Sequence, residues 1–241
     1  MDCNLLSALS AGLVRNPSKP YTPQNMPMPA HREEIEIKLR VSDVGALRQR
    51  LKRLRAREIT PRTYESNTLY DTPRHDLRRR GQLIRIRIEQ LAMRFGKRRR
   101  SENAPAILTY KGPLHSSRLI SKAKKHFKIK DEAEVSVAGA NELAAIFRAL
   151  GLHPAFQYEK FRTTYALPGA PGLKIELDET PVGLYLELEG PVAAIDRGAR
   201  LLGYDRKDYM TDTYGSLYLA ACRRQGRKPG DMLFPPTKKL R

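Results

Sequence analysis

Glu34-Ile35-Glu36-Ile37-Lys38-Leu39-Arg40 alternates strictly between charged and apolar residues. Period two predicts a β-strand with Ile35, Ile37 and Leu39 on one face and Glu34, Glu36, Lys38 and Arg40 on the other. Ser42 or Asp43 then caps a helix whose Val44, Leu47, Leu51 and Leu54 fall at helical spacing and form one apolar stripe. Strand-like runs follow around Tyr64–Tyr70, Leu83–Ile88 and Ile107–Lys111, separated by the turn residues Asp71-Thr72-Pro73, Arg80-Gly81 and Gly112-Pro113. The order then recurs. Glu132-Ala133-Glu134-Val135 alternates as Glu34–Ile37 does, and Asn141 opens a helix carrying Leu143, Ile146, Phe147 and Leu150. Further runs lie at Tyr158–Tyr165, Leu173–Leu177 and Leu184–Leu188, before a helix with Ile195 and Leu202. The expected fold is α+β, a closed antiparallel eight-stranded β-barrel built from two pseudo-repeats with helices packed outside.

Nearly every strand opposes its apolar face with charges, among them Arg85 and Arg87, Lys111, Glu132 and Glu134, Lys160 and Arg162, Glu176 and Asp178, and Glu187 and Glu189. If the helices cover the apolar side, these charges point into the barrel. A dry core of unpaired ions would lose several kcal/mol for each. A wet tunnel for an anionic ligand with a divalent metal does not. Carboxylates two residues apart converge on one hard cation, which suits Mg2+ or Mn2+, and guanidinium forks match phosphate oxygens. The expected ligand is a polyphosphate with its metal.

Composition narrows the alternatives. The 241 residues hold 45 Lys and Arg against 26 Asp and Glu, a formal charge of +19. An excess of this size suggests an anionic partner. No apolar run approaches the roughly 20 residues of a membrane span, so the protein is expected to be soluble, without membrane contact. Cys3 and Cys222 are the only cysteines, and the five histidines are scattered, so neither a disulfide scaffold nor a zinc module fits. Residues 1–30, with five prolines and no secretory h-region, read as a disordered leader to a cytoplasmic protein, residues 31–223 as the folded domain, and residues 224–241 as a basic tail. Arg48, Arg50, Lys52, Arg53, Arg55 and Arg57 read as a solvated helix face. Nucleic-acid contact is expected only through the tail and the basic loop around Lys97–Arg100.

Glu34-x-Glu36-x-Lys38 resembles the N-terminal signature of the CYTH superfamily, the triphosphate tunnel metalloenzymes, which includes class IV adenylate cyclases, thiamine triphosphatases and inorganic triphosphatases. The resemblance continues through Asn67-Thr68-Leu69-Tyr70-Asp71-Thr72, Leu83-Ile84-Arg85-Ile86-Arg87, Leu108-Thr109-Tyr110-Lys111-Gly112, Tyr158-Glu159-Lys160-Phe161-Arg162, Leu177-Asp178-Glu179 and Leu186-Glu187-Leu188-Glu189-Gly190. It implies that Glu34, Glu36, Glu187 and Glu189 hold metal, with Asp178 a further candidate. It implies equally that Lys38, Arg85, Arg87, Lys111 and Arg162 grip phosphates, with Lys160 beside them. Lys38 and Tyr64 are the catalytic candidates, Tyr64 as a donor to a leaving group, although packing is the weightier reading of that tyrosine. Lys128 and Lys130 before the acidic strand, the basic insertion at 94–100 and both tails depart from the family pattern.

Phosphoryl and nucleotidyl transfer need positioning and charge neutralisation rather than a covalent nucleophile. The expected function is metal-dependent hydrolysis of an inorganic or organic triphosphate such as thiamine triphosphate or ATP. The alternatives are a class IV adenylate cyclase, forming cyclic AMP and pyrophosphate, and a non-catalytic binder of polyphosphate or RNA ends. The sequence carries no signal for an oligomeric state.

Overall fold

The computed structural model describes residues 32–91, 106–114 and 126–235. The leader at 1–30, the insertion at 94–100 and the last residues of the tail lie outside the described residues. Eight strands, β1 (Arg32–Val41), β2 (Arg57–Asp71), β3 (Leu83–Leu91), β4 (Ala106–Gly112), β5 (Lys128–Val137), β6 (His153–Ala166), β7 (Lys174–Thr180) and β8 (Gly183–Glu189), close into a barrel in the order β1-β5-β4-β3-β2-β6-β7-β8. Every neighbouring pair is antiparallel. Closure leaves no sheet edge among these strands, so each inner side chain meets neighbours on two sides.

The alternation seen in the sequence sorts the two faces. Ile37, Leu39, Ile175, Leu177, Leu186 and Leu188 turn outward and are nevertheless buried. They lie beneath α1 (Val44–Arg53) and α4 (Val192–Leu201), which contribute Leu47, Leu51, Ile195 and Ala199 to the same cluster. On the other flank α3 (Ala140–Ala149) sets Phe147 against Tyr70 and Ile86. Because the outer apolar faces are covered, the charged faces are forced inward. Asp43 is the cap of α1, its Oδ1 accepting from the Ala46 N–H at 2.9 Å. Asn141 does not cap α3. That place is taken by Gly139, and Asn141 lies inside the helix.

The C-terminal part departs from the expected boundary. A helix α5 (Tyr214–Arg224), capped by Thr213, packs Tyr214, Leu217, Tyr218 and Cys222 against Tyr158 and Tyr185. Residues 225–235 then run along β6 rather than trailing away. Met232 donates to the Gln157 carbonyl and accepts from the Glu159 N–H, at 2.9 and 3.0 Å. Phe234 is buried against Tyr64 and Phe161. Apolar residues at 232 and 234, inside a stretch dominated by Lys, Arg, Pro and Gly, supply this anchor. A short α2 (Asp76–Arg79) is tied to the end of β2 by Asp71, whose carboxylate accepts from the N–H groups of Thr72, Leu77 and Arg78. Among the described residues no helix is long and apolar enough to cross a membrane.

Phe234→Ala should lower the unfolding free energy by about 3 kcal/mol, the usual cost of emptying a buried phenyl site. Equilibrium urea unfolding of the variant beside the parent measures it, and an unchanged midpoint would mean that the strap adds nothing to the domain.

Candidate functional site: a charged tunnel

Strand register decides which charges meet inside the barrel. Glu36 on β1 lies directly across from Glu189 on β8, and Glu187 lies across from Glu176 on β7. Facing like charges repel unless a cation sits between them. Arg162 stands between Glu176 and Glu187, and Lys38 links the two pairs, with its Nζ 2.9 Å from Glu36 Oε1 and 2.9 Å from Glu187 Oε1. Lys128, opposite Glu36 on β5, adds a second contact at 2.7 Å, and Lys174 holds Glu189 at 2.7 Å and Glu176 at 2.9 Å. Although burial opposes ionisation of Glu36 and Glu187, these cations hold both carboxyls below their ordinary range. Lys38 is correspondingly pushed up by Glu187 and Glu36 against the cost of burying it.

A second cluster surrounds Arg162. Its Nε and Nη2 grip Asp178 at 2.7 and 2.5 Å, and the same guanidinium contacts Glu176 and Glu187. Asp178 also accepts from Lys160 at 3.0 Å and from the Tyr214 hydroxyl at 2.6 Å. It is fully buried and does not line the cavity. It lies on the inner side of β7 beneath Lys160, Arg162 and Tyr214 and orients all three. Glu65 was missed by sequence reasoning, yet it lies 3.4 Å from Lys160 and 3.6 Å from Arg162 on the tunnel side of β2. Its burial is outweighed by Lys160, Arg162, Arg87 and Arg85, which hold its carboxyl down at about 2. Alternation through Thr63, Glu65 and Asn67 was the available signal.

On β3 and β4, Arg85 donates to Thr109 Oγ1 at 3.0 Å and to the Tyr158 hydroxyl at 3.1 Å, while its Nε is buried without a hydrogen-bond partner. Arg87 stands 2.9 Å from Glu89 and 3.5 Å from Glu134. Lys111 Nζ contacts both Glu34 oxygens at 2.6 Å and Glu132 at 3.1 Å. Burial, with Glu36 and Glu132 nearby, pushes the Glu34 carboxyl up to about 7 despite Lys111. Tyr64 is not brought to the tunnel. Its side chain points outward, packs against Phe161 and Phe234, and donates to Glu159 Oε1 at 2.6 Å. An even step along β2 from Glu65 would have kept it inside, and an odd one puts it on the far face.

The cavity is about 1080 Å³. Glu132, Glu134, Glu34, Glu36, Glu187 and Glu189 occupy the contiguous arc β5-β1-β8, and Lys111, Arg85, Arg87, Lys160 and Arg162 lie on β4, β3 and β6 across from it. Its lining carries eleven carboxylates and ten Lys and Arg side chains, so the wall is close to neutral by itself. A polyanion entering alone would unbalance it by its full charge. A polyanion entering with divalent cations would not. Among the described residues no three carboxylate, histidine or cysteine groups already converge on a metal position. The donors are nevertheless hard oxygens in facing pairs, chemistry that fits Mg2+ or Mn2+ once the lysines give way.

Among curated proteins none matches the chain by sequence. Solved structures share the fold. A candidate adenylate cyclase from Vibrio parahaemolyticus superposes with a TM-score of 0.60 at 16% identity, covering 76% of this chain and 96% of that one. The PH1819 protein of Pyrococcus horikoshii gives 0.59 at 22% identity, covering 78% and 99%. A candidate adenylyl cyclase from Hippeastrum, described as having a dominant triphosphatase activity, gives 0.50 at 19% identity, covering 81% and 97%. The CYTH domain model matches residues 32–214, the span that holds all eight strands and every lining charge except Asp231, and the chain belongs to the CYTH family.

Proposed function

We propose that the protein hydrolyses a triphosphate inside the tunnel with the help of Mg2+ or Mn2+. The observation that carries this reading is the cavity lining, in which six carboxylates of β5, β1 and β8, interleaved with Lys38, Lys128 and Lys130, face Lys111, Arg85, Arg87, Lys160 and Arg162 of β4, β3 and β6. Arg85, Arg87, Lys111, Lys160 and Arg162 would hold phosphate oxygens, and the unpartnered Arg85 Nε is a donor in want of such an acceptor. Glu34, Glu36, Glu187 and Glu189 would hold the metal, which when bound neutralises the phosphate chain and polarises it towards attack. Lys38, fixed between Glu36 and Glu187, would stabilise charge on the departing phosphate. In the reaction an oxygen of water forms a bond to the terminal phosphorus. The bond from that phosphorus to its bridging oxygen breaks, the electron pair leaves with the shorter product, and the proton passes to solvent or a neighbouring carboxylate. The triphosphatase activity described for the Hippeastrum neighbour points the same way.

Phosphorus NMR after incubation with Mg2+ or Mn2+ and inorganic triphosphate, thiamine triphosphate or ATP in separate tubes tests the reading. Orthophosphate with a diphosphate-level product is expected, whereas cyclic AMP with pyrophosphate would make the protein a cyclase, and silence in every tube would leave a binder. Glu34→Gln should lower turnover by at least a hundredfold with an unchanged thermal midpoint. Undiminished turnover in that variant without added metal would overturn the assignment.

The raised Glu34 carboxyl sets a pH dependence. Folded Glu34 keeps its proton up to about 7 against an ordinary 4.5, so the ligand-free protein loses stability as pH rises through that interval. A metal requires the ionised form. Mg2+ affinity, followed by calorimetry, should therefore rise about tenfold per pH unit below pH 7 and level off above it, with a proton released on binding. Glu34→Gln should flatten this profile.

A further inference from the structure

The tunnel does not account for the charge of the protein. Its lining is balanced to within one charge, while the chain as a whole carries +19. The excess must lie elsewhere, and the densest part of it among the described residues is α1 with the turn after it. Residues 44–57 hold Arg48, Arg50, Lys52, Arg53, Arg55 and Arg57 and no acidic residue. Leu47 and Leu51 fasten the helix to the outside of the barrel, so the cations flank a buried stripe and look away from the tunnel. All but the half-buried Arg50 are exposed. None of the six is engaged in an ion pair among the described residues, in contrast to the tunnel cations. Arg50 leans against Gly203, just past α4, so the basic strip reaches the end of that helix, where Arg200 is also exposed.

We propose that this outer face binds the phosphodiester backbone of a nucleic acid, independently of sequence and separately from the tunnel. Six cations along a helix, the turn after it and the first residue of β2, none in an ion pair among the described residues, raise the local potential by their mutual repulsion, which a line of phosphates relieves by releasing its own counterions. Five of the six are arginines, whose planar fork pairs with two phosphate oxygens and is less strongly hydrated than an ammonium. The apolar residues of α1 face the barrel, which leaves this face no side chain to insert into lipid. That combination favours nucleic acid over an anionic membrane.

The test is fluorescence anisotropy of a labelled 20-nucleotide single-stranded RNA across a KCl series, with the full chain and with Arg48→Gln/Lys52→Gln/Arg55→Gln. These side chains are exposed and lie outside the tunnel, so folding and triphosphate turnover should stay at the parental level. Affinity should fall at least tenfold at low salt, and the slope of log affinity on log salt should shrink by about 2, close to 0.7 for each phosphate that the variant no longer neutralises. A reduction below twofold would overturn the proposal. So would finding that Gln at Lys97, Arg98, Arg99 and Arg100 removes all of the binding, or that the α1 variant releases phosphatidylserine vesicles while holding RNA as tightly as the parent. The proposal does not depend on the triphosphatase reading, since RNA binding is measured without metal or turnover.

Discussion

Ions inside a protein are tolerable only when each has partners of opposite charge and hydrogen bonds to replace water, and this barrel is organised around that demand. Lys38 is the keystone. It sits on the strand where carboxylates converge, and its ammonium is shared by Glu36 of its own strand and Glu187 of the next. Removing it would take from Glu36 and Glu187 the cation that they share and leave each to Lys128 or Arg162 alone in a buried setting. Removing either glutamate would take from the lysine one of its two carboxylate contacts. The network therefore holds the barrel wall in shape and keeps it close to neutral, the condition under which a charged ligand and its metal can replace internal pairs without a large net desolvation.

Segments far along the chain serve the same network. The backbone of Lys38 exchanges both hydrogen bonds with Met210, at the position where β5 no longer runs beside β1. Four residues later Tyr214 places its hydroxyl on Asp178, which in turn aims Lys160 and Arg162. The strap at 225–235 fastens Met232 and Phe234 to β6, the strand that carries those two cations. The placement of these tunnel cations thus rests on aromatic and apolar contacts outside the tunnel as much as on charges within it.

Much of this was legible from local pattern. Alternation at 34–40 and 83–88 located strands and named their two faces, and the apolar stripes of α1 and α4 told which face would be covered. From there the inward direction of Arg85, Arg87, Lys111, Glu187 and Glu189 followed. Glu65 was accessible by the same counting but is one charge in a largely polar run, and nothing local marks it as the partner of Lys160. Tyr64 and Asp178 are set apart from the cavity lining for different reasons. Tyr64 is chemically suited to a site and sits one residue off the inner face. Asp178 is on the inner face, but Arg162, Lys160 and Tyr214 close over it. Met232 and Phe234 were hidden because a run of three apolar residues, Met232-Leu233-Phe234, among Pro, Gly and Lys makes no periodic signal.

The sequence by itself determined the strand and helix inventory, the covered and uncovered faces of each strand, and the hard-oxygen and guanidinium chemistry of the lining. Those properties depend on residues two to four positions apart. Only the tertiary structure decided that carboxylates gather on β5-β1-β8 opposite the cations of β4, β3 and β6, that Asp178 is covered by Lys160, Arg162 and Tyr214, and that among the described residues the arginines of α1 form no ion pair while the tunnel pairs nearly all of its own. The reason is physical. Which ions meet is set by barrel closure and cross-strand register, and these bring together residues separated by more than a hundred positions that no local pattern couples.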